Sequence, residues 1–191
     1  DGSVTISYSA VSCTGTPKSF TITVNPTPTV NAVANQVICN NGSTTAVNFS
    51  GFVPGTVYNW TNNTTSIGLG ASGTGNIASF TATNATNAPV VATITVTPSY
   101  TNAGTTCTGT AITFTITVNP VPQVNQPANQ VICNNTSFLP TNFTTPTSGG
   151  VVMYAWTNNN ASIGLGASGT GNIPGFIGTN VICPNQSCHH I

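Results

Sequence analysis

The chain has 191 residues, and charged residues make up 1% of it, against roughly a quarter in an ordinary soluble domain. Lys18 is the single basic residue and Asp1 the single acidic one. General acid–base catalysis, calcium coordination and nucleic-acid binding all depend on several charged side chains. The composition therefore argues against an enzyme and against a nucleic-acid-binding protein, and we expect no cofactor. No apolar run approaches the length of a membrane span, so none is expected.

Short stretches in which apolar residues alternate with Thr predict β-strands with one buried face. From the N-terminus onwards, the predicted strands are 20–24, 45–51, 56–60, 90–100 and 114–118. Turns rich in Gly, Asn and Pro separate them, at a spacing typical of antiparallel sandwiches. Thr and Asn together form roughly a third of the chain, which favours strands and turns over helices. We expect an all-β protein built from immunoglobulin-like β-sandwiches.

The sequence repeats itself at intervals of 94 to 96 residues. CTGTPKSFTITVNP begins at Cys13 and CTGTAITFTITVNP at Cys107, while SIGLGASGTGNI begins at both Ser66 and Ser162. Such a period indicates tandem structural units. The predicted pieces are the C-terminal part of one repeat (1–24), a complete sandwich repeat (27–118), and the N-terminal part of a further repeat (121–191), which diverges after about residue 173.

Prolines separate these pieces. Asn25–Pro28 and Asn119–Pro122 alternate Pro with other residues, which predicts extended, semi-rigid linkers between repeats. Because a partial repeat cannot bury its apolar face alone, two organisations stay open. The sequence is a window on a longer array, or the front piece of one chain completes the tail piece of the next chain in a filament.

Four cysteines are candidates for disulfides. In an immunoglobulin-like topology, the N-terminal end of a domain and the hairpin before its last strand share a pole, so we predict a bridge between Cys39 and Cys107. Cys13 and Cys133 would then have partners in neighbouring repeats, and free thiols are the alternative for all four. Bridges would imply an oxidising, extracellular setting. The Cys and His residues of 183–190 are of types that bind zinc, but a disulfide or a tag remnant is favoured there.

Aromatic pairs mark one of the repeated strands. Tyr58 precedes Trp60 by two residues, and Tyr154 precedes Trp156 in the same way, so each pair faces one side of its strand. The functional interpretation is a platform on which surface glycans stack. The structural interpretation, which we favour, is the core Trp that such sandwiches use.

The segment SIGLGASGTGNI is rich in glycine but contains no Lys. A phosphate-binding loop would need that Lys and a place between a strand and a helix. We therefore interpret the segment as a tight loop or a bulged sheet edge.

The segment ANQVICNN around Cys39, the YNW at Trp60, and the CTGT…FTITVNP endings that begin at Cys13 and Cys107 resemble a known family. They are similar to the PKD-like and immunoglobulin-like tandem repeats of very large secreted surface adhesins of Bacteroidota, over 25–118 and both partial repeats. The resemblance implies export, commonly by type IX secretion, and display on the cell surface, in some members as filaments of gliding motility. The PKD pattern has an acidic stretch after its Trp, whereas TNNTTS follows Trp60 here, so the resemblance extends to the scaffold alone.

These observations lead to one expected function and two alternatives. We expect a structural or adhesive repeat segment of a secreted, cell-surface adhesin or filament that acts as a stiff spacer. One alternative is a self-assembling fibre subunit with half-domain complementation between chains. The other is a carbohydrate-binding module that uses Tyr58 and Trp60. The expected partners are neighbouring repeats of the same or identical chains, and surface glycans in the last case.

Overall fold

A computed structural model describes residues 2–10 and 13–180. Within them the regular structure is nearly all β, which confirms the expected class. The strands are β1 (Gly2–Ile6), β2 (Ser9–Ala10), β3 (Cys13–Thr14), β4 (Lys18–Ile22), β5 (Gln36–Cys39), β6 (Val57–Asn62), β7 (Ser72–Thr74), β8 (Val90–Asn102), β9 (Thr105–Thr108), β10 (Ile112–Asn119), β11 (Ser137–Phe138), β12 (Ala155–Thr157), β13 (Ser168–Thr170) and β14 (Phe176–Ile177). Two single turns of 3-10 helix span Thr65–Ile67 and Ala161–Ile163. No helix in this described part is both long and apolar enough to cross a bilayer.

The chain divides into two compact units. Unit 1 comprises Asp1–Thr83 and Val91–Thr117, and unit 2 comprises Asn84–Val90 and Val118–Ile191. The largest sheet has six strands in the order β5-β10-β8-β6-β7, with β9 paired to the end of β8. Two-stranded sheets are formed by β1 with β4, β2 with β3, β11 with β14, and β12 with β13.

The core of unit 1 follows directly from the alternation of Thr with apolar residues. From Ala92 to Pro98 in β8 and from Phe114 to Val118 in β10, every second residue is buried and the Thr residues between them are half-buried, because successive strand side chains point to opposite faces. The buried apolar side chains of the unit are Val47, Phe49, Trp60, Ile67, Ile77, Ala82, Ala92, Ile94, Val96, Phe114 and Ile116. Strands at 56–60, 90–100 and 114–118 are therefore confirmed.

The strand predicted at 45–51 is wrong, because the structure has only isolated bridges there. Val47 pairs with Ile77, and Ser43 with Thr81, both antiparallel. Side-chain amides take the other backbone groups: Gln36 accepts from the Thr45 N–H at 2.9 Å and donates to the Thr45 carbonyl at 2.9 Å. Such side-chain hydrogen bonds compete with a regular ladder. Together with the sheet, this irregular pair is consistent with a β-sandwich.

The N-terminal hairpin, defined here as β1 with β4, carries the same residue pattern as β8 with β10. Aligning the chain with itself places VTISY (4–8) on VTPSY (96–100) and FTITV (20–24) on FTITV (114–118); residues aligned in this way are called counterparts below. Phe20 is 48% exposed, whereas its counterpart Phe114 is 2% exposed. The same sequence pattern is therefore buried in the six-stranded sheet and open in the two-stranded hairpin.

The first of the predicted linkers makes specific contacts within unit 1. The Asn25 side-chain amide donates to the carbonyls of Asn102 and Thr105 at 3.3 and 3.4 Å. Pro28 is fully buried, and a Cβ on Gly109 would collide with its carbonyl oxygen. Pro28 thus packs as part of unit 1, and the linker role of this stretch stays a prediction.

We expect Phe114→Ala to lower the free energy of unfolding by about 3–5 kcal/mol, because it leaves a cavity in a packed core. Phe20→Ala, at the counterpart position, should lower it by less than about 1 kcal/mol at low protein concentration, because the ring is already half-exposed. Urea denaturation of both variants, followed by circular dichroism, measures the difference. Equal losses for the two variants would contradict the exposed position of the hairpin face.

Candidate functional site

Residues that recur 96 positions along the chain meet around Trp60. This residue lies on β6 opposite Gly73 of the edge strand β7. A Cβ added to Gly73 would lie 2.7 Å from Cε2 of the indole and closer still to Cζ2. Only glycine leaves room for the ring there. The indole ring of Trp60 therefore packs directly against Gly73 of the edge strand.

The same geometry recurs further along the chain. Trp156 of β12 stands opposite Gly169 of β13. A Cβ on Gly169 would lie 2.6 Å from the indole Cε2 of Trp156. The repeated Trp and the repeated Ser-Gly-Thr are thus two halves of one packing contact.

Asn62, two residues after Trp60, holds the loop that leads to β7. Its amide nitrogen donates to the carbonyls of Leu69 and Gly70 at 3.0 and 3.3 Å. Its Oδ1 accepts from the Thr64 N–H at 3.0 Å. The side chain is buried, and it satisfies backbone groups that would otherwise lose their partners. We call Trp60, Gly73 and Asn62 the Trp corner.

The counterpart of Asn62 makes the same bonds. The Asn158 amide donates to the carbonyls of Leu165 and Gly166 at 2.9 and 3.3 Å. Sequence reasoning missed both Asn residues as organising positions. The signal was present, because Trp-Thr-Asn recurs 96 residues along the chain at 60–62 and 156–158.

The Gly-rich segment forms the turn between these residues. After the 3-10 turn at Thr65–Ile67, Gly68 adopts a φ of +95°, a left-handed conformation that glycine takes without strain. The Ile67 carbonyl accepts from the Thr83 N–H at 3.0 Å, and β7 follows at the edge of the sheet. The interpretation as a tight loop next to a sheet edge agrees with this geometry.

The aromatic pairs proposed as glycan platforms lie on the packed side of their strands. Trp60 is 9% exposed, and the Tyr58 ring lies 5.7 Å from the Phe49 ring. In the other copy, the Tyr154 ring lies 5.4 Å from that of Phe143, and Trp156 is half-buried. Stacking on a sugar needs an open ring face, so these positions favour the core interpretation. Glycan binding stays a prediction.

The indole nitrogens of Trp60 and Trp156 are buried and have no hydrogen-bond partner among the described residues. A buried N–H without a partner costs about 1–3 kcal/mol.

The predicted bridge between Cys39 and Cys107 is absent from the structure, where both are free thiols. Cys39 ends β5, which pairs with β10, whereas Cys107 lies on β9, which pairs with β8 opposite Tyr100. The two thiols thus belong to strands that are not neighbours. Cys13 lies in β3, and Cys133 is exposed to solvent.

No group of three or more His, Cys, Asp or Glu residues in 2–10 and 13–180 is close enough to hold a metal ion. The Cys and His residues of 183–190 lie outside the described residues.

No family model, no curated protein and no solved structure matches this chain. The resemblance to PKD-like surface repeats therefore stays a prediction.

We expect Gly73→Ala to lower the free energy of unfolding by about 1–3 kcal/mol, because the new methyl group must displace the Trp60 ring. The matched control is Gly70→Ala in the same loop, where the nearest atom, the Ser72 carbonyl oxygen, is 4.0 Å away. That variant should stay within about 0.5 kcal/mol of the wild type. Urea denaturation gives both values, and the tryptophan emission spectrum should shift only in Gly73→Ala. An unperturbed Gly73→Ala protein would refute the packing role of this glycine.

Proposed function

We propose that the chain is a structural repeat segment of an extracellular adhesin or surface filament, in which it serves as a spacer. The observation that carries this proposal is the Trp corner. Its residues recur 96 positions along the chain, and in both copies they hold a strand, a loop and a sheet edge together. Residues repeated for a binding or catalytic task would be expected to point their functional groups outwards instead.

The finer architecture belongs to the same proposal. We infer that 27–118 is one immunoglobulin-like repeat and that 1–24 and 121–191 are parts of similar repeats, joined by the proline-containing linkers. The six-stranded sheet of alternating Thr and apolar residues supports this assignment, as does the irregular antiparallel pair formed by 43–47 and 77–81. A period of 94 to 96 residues is about the size of one immunoglobulin-like domain.

An extracellular location is supported by the resemblance to secreted repeats, and a scaffold role is supported by composition. A chain with one Lys and one Asp has almost no charge with which to steer ligands or bind nucleic acids. It relies on Thr and Asn hydrogen bonds and on apolar packing, which suits a scaffold. We therefore assign it to the cell surface, carried there by a secretion system such as type IX.

Cell-surface display can be tested on intact cells that express the native gene. An antiserum raised against residues 27–118 should label unpermeabilised cells, and external protease should remove the signal while a cytoplasmic control protein survives. Labelling that appears only after permeabilisation would overturn the proposed location.

Mechanical function can be tested by pulling the full chain from its ends. Repeat 27–118 should unfold in one step and release about 30 nm of contour, given an extended length of about 3.3–3.6 Å per residue. Phe114→Ala should lower the unfolding force, because it weakens the core that resists extension. Gradual extension of the wild-type chain without a force peak would contradict a spacer that bears load.

A further inference from the structure

The N-terminal hairpin and residues 121–180 each expose side chains whose counterparts are buried together in unit 1. There β8 lies beside β6, and Val96 stands opposite Trp60. The counterpart of Val96 is Val4 on β1, and the counterpart of Trp60 is Trp156 on β12. The pairing of β8 with β6 in unit 1 therefore shows how two surfaces of this kind fit together.

On the hairpin side, the inward-facing row is open to solvent. Ile22 is 50% exposed, whereas its counterpart Ile116 is 1% exposed. Val4 and Ile6 are likewise exposed, while Val96 is fully buried. This row, with Lys18 at its end opposite Ile6, is the mainly apolar face of a two-stranded sheet that has no covering layer among the described residues.

On the side of residues 121–180, the matching surface is open as well. Ile163 is 39% exposed, whereas its counterpart Ile67 is fully buried. Within the part of the chain that the structure describes, β12 has one strand neighbour, β13. Its other edge is the one that β6 uses to bind β8. A free edge of this kind is a template for pairing with another strand.

We propose that the N-terminal hairpin of one copy docks on residues 121–180 of a second copy. In this contact β1 pairs antiparallel with the free edge of β12, in the register that β8 takes on β6. Val4 then stands opposite Trp156, and Thr5 opposite Ala155, as Val96 and Thr97 stand opposite Trp60 and Asn59. The inference rests on the proposed structural function and names the partner of the repeat.

The chemistry of both surfaces suits a second copy of this chain. Lys18 is the only charged residue of β1 and β4, and 121–180 contain no charged residue at all. No like charges oppose the contact, and backbone pairing with alternate apolar side chains supplies affinity and register. The donor and the acceptor are different surfaces of one molecule, so the contact is heterologous and can propagate from copy to copy.

The register can be trapped with the full chain carrying Thr5→Cys and Ala155→Cys. Directly opposed positions on paired strands lie within the reach of a disulfide. Mild oxidation should give a ladder of multimers on a non-reducing gel, and chymotryptic peptide mapping should identify a link between positions 5 and 155 in the multimer bands. The ladder should disappear with reductant.

The matched control is the full chain carrying Ser19→Cys and Ala155→Cys. Ser19 lies opposite Thr5 on β4, one strand further from β12, and two strand spacings exceed the reach of a disulfide. Both variants keep the same native cysteines, so only the engineered link differs. A 5–155 link confined to the monomer band, no such link in a folded protein, or equal linking in the control would each overturn the proposal. Any of these results leaves the cell-surface and pulling tests unaffected.

A second experiment measures association without a crosslink. Ile22→Asp places a charge on the docking face, and we expect the self-association constant from sedimentation to fall roughly 30-fold or more, since a carboxylate would be buried without a partner. Thr21→Asp, on the opposite face of the same strand, should associate like the wild type. Because both residues lie in the exposed two-stranded hairpin, the urea midpoint for unfolding of the six-stranded sheet should not change. Equal association of Ile22→Asp and the wild type would refute docking through this face.

Discussion

The structure depends on one constraint: a strand that alternates Thr with apolar residues has one face that must be covered. The chain holds almost no charge, so apolar burial and hydrogen bonding supply most of its stability. In the six-stranded sheet the cover is supplied from within unit 1, and Phe114, Ile116 and Val96 lose nearly all their contact with solvent. In the N-terminal hairpin the same pattern has no cover, and Phe20 stays half-exposed.

Side-chain amides replace charge as the source of specific geometry. Asn62 holds a loop through several hydrogen bonds to backbone groups. Gln36 fixes both backbone groups of Thr45, and Asn76 accepts from the Phe49 N–H. A neutral amide can donate and accept at once. One side chain can therefore bond both the N–H and the carbonyl groups of a loop that has no neighbouring strand. The abundance of Asn therefore has a structural purpose beyond the formation of turns.

The proposed docking between copies follows from the same need for a covered face. The hairpin of β1 and β4 has an uncovered apolar face, and β12 has an unpaired edge among the described residues. The pairing of β8 with β6 shows how such surfaces fit together. Assembly between copies would bury the exposed row of the hairpin and pair the open edge of β12 in one step. The exposed apolar side chains are then explained as surfaces awaiting a partner rather than as defects of packing.

The sequence by itself determined the strands at 56–60, 90–100 and 114–118, because the period-2 pattern is local and needs no partner to be recognised. It also determined the repeat, which places a Trp and a glycine-rich segment in both copies. Tertiary structure decided the rest. Whether Phe20 or Phe114 is buried depends on what lies against it, and whether Cys39 meets Cys107 depends on which strands are neighbours in the sheet. The loss of the strand at 45–51 depends on side chains of Gln36 and Asn76 that are distant in sequence, and such non-local competition leaves no local pattern to read.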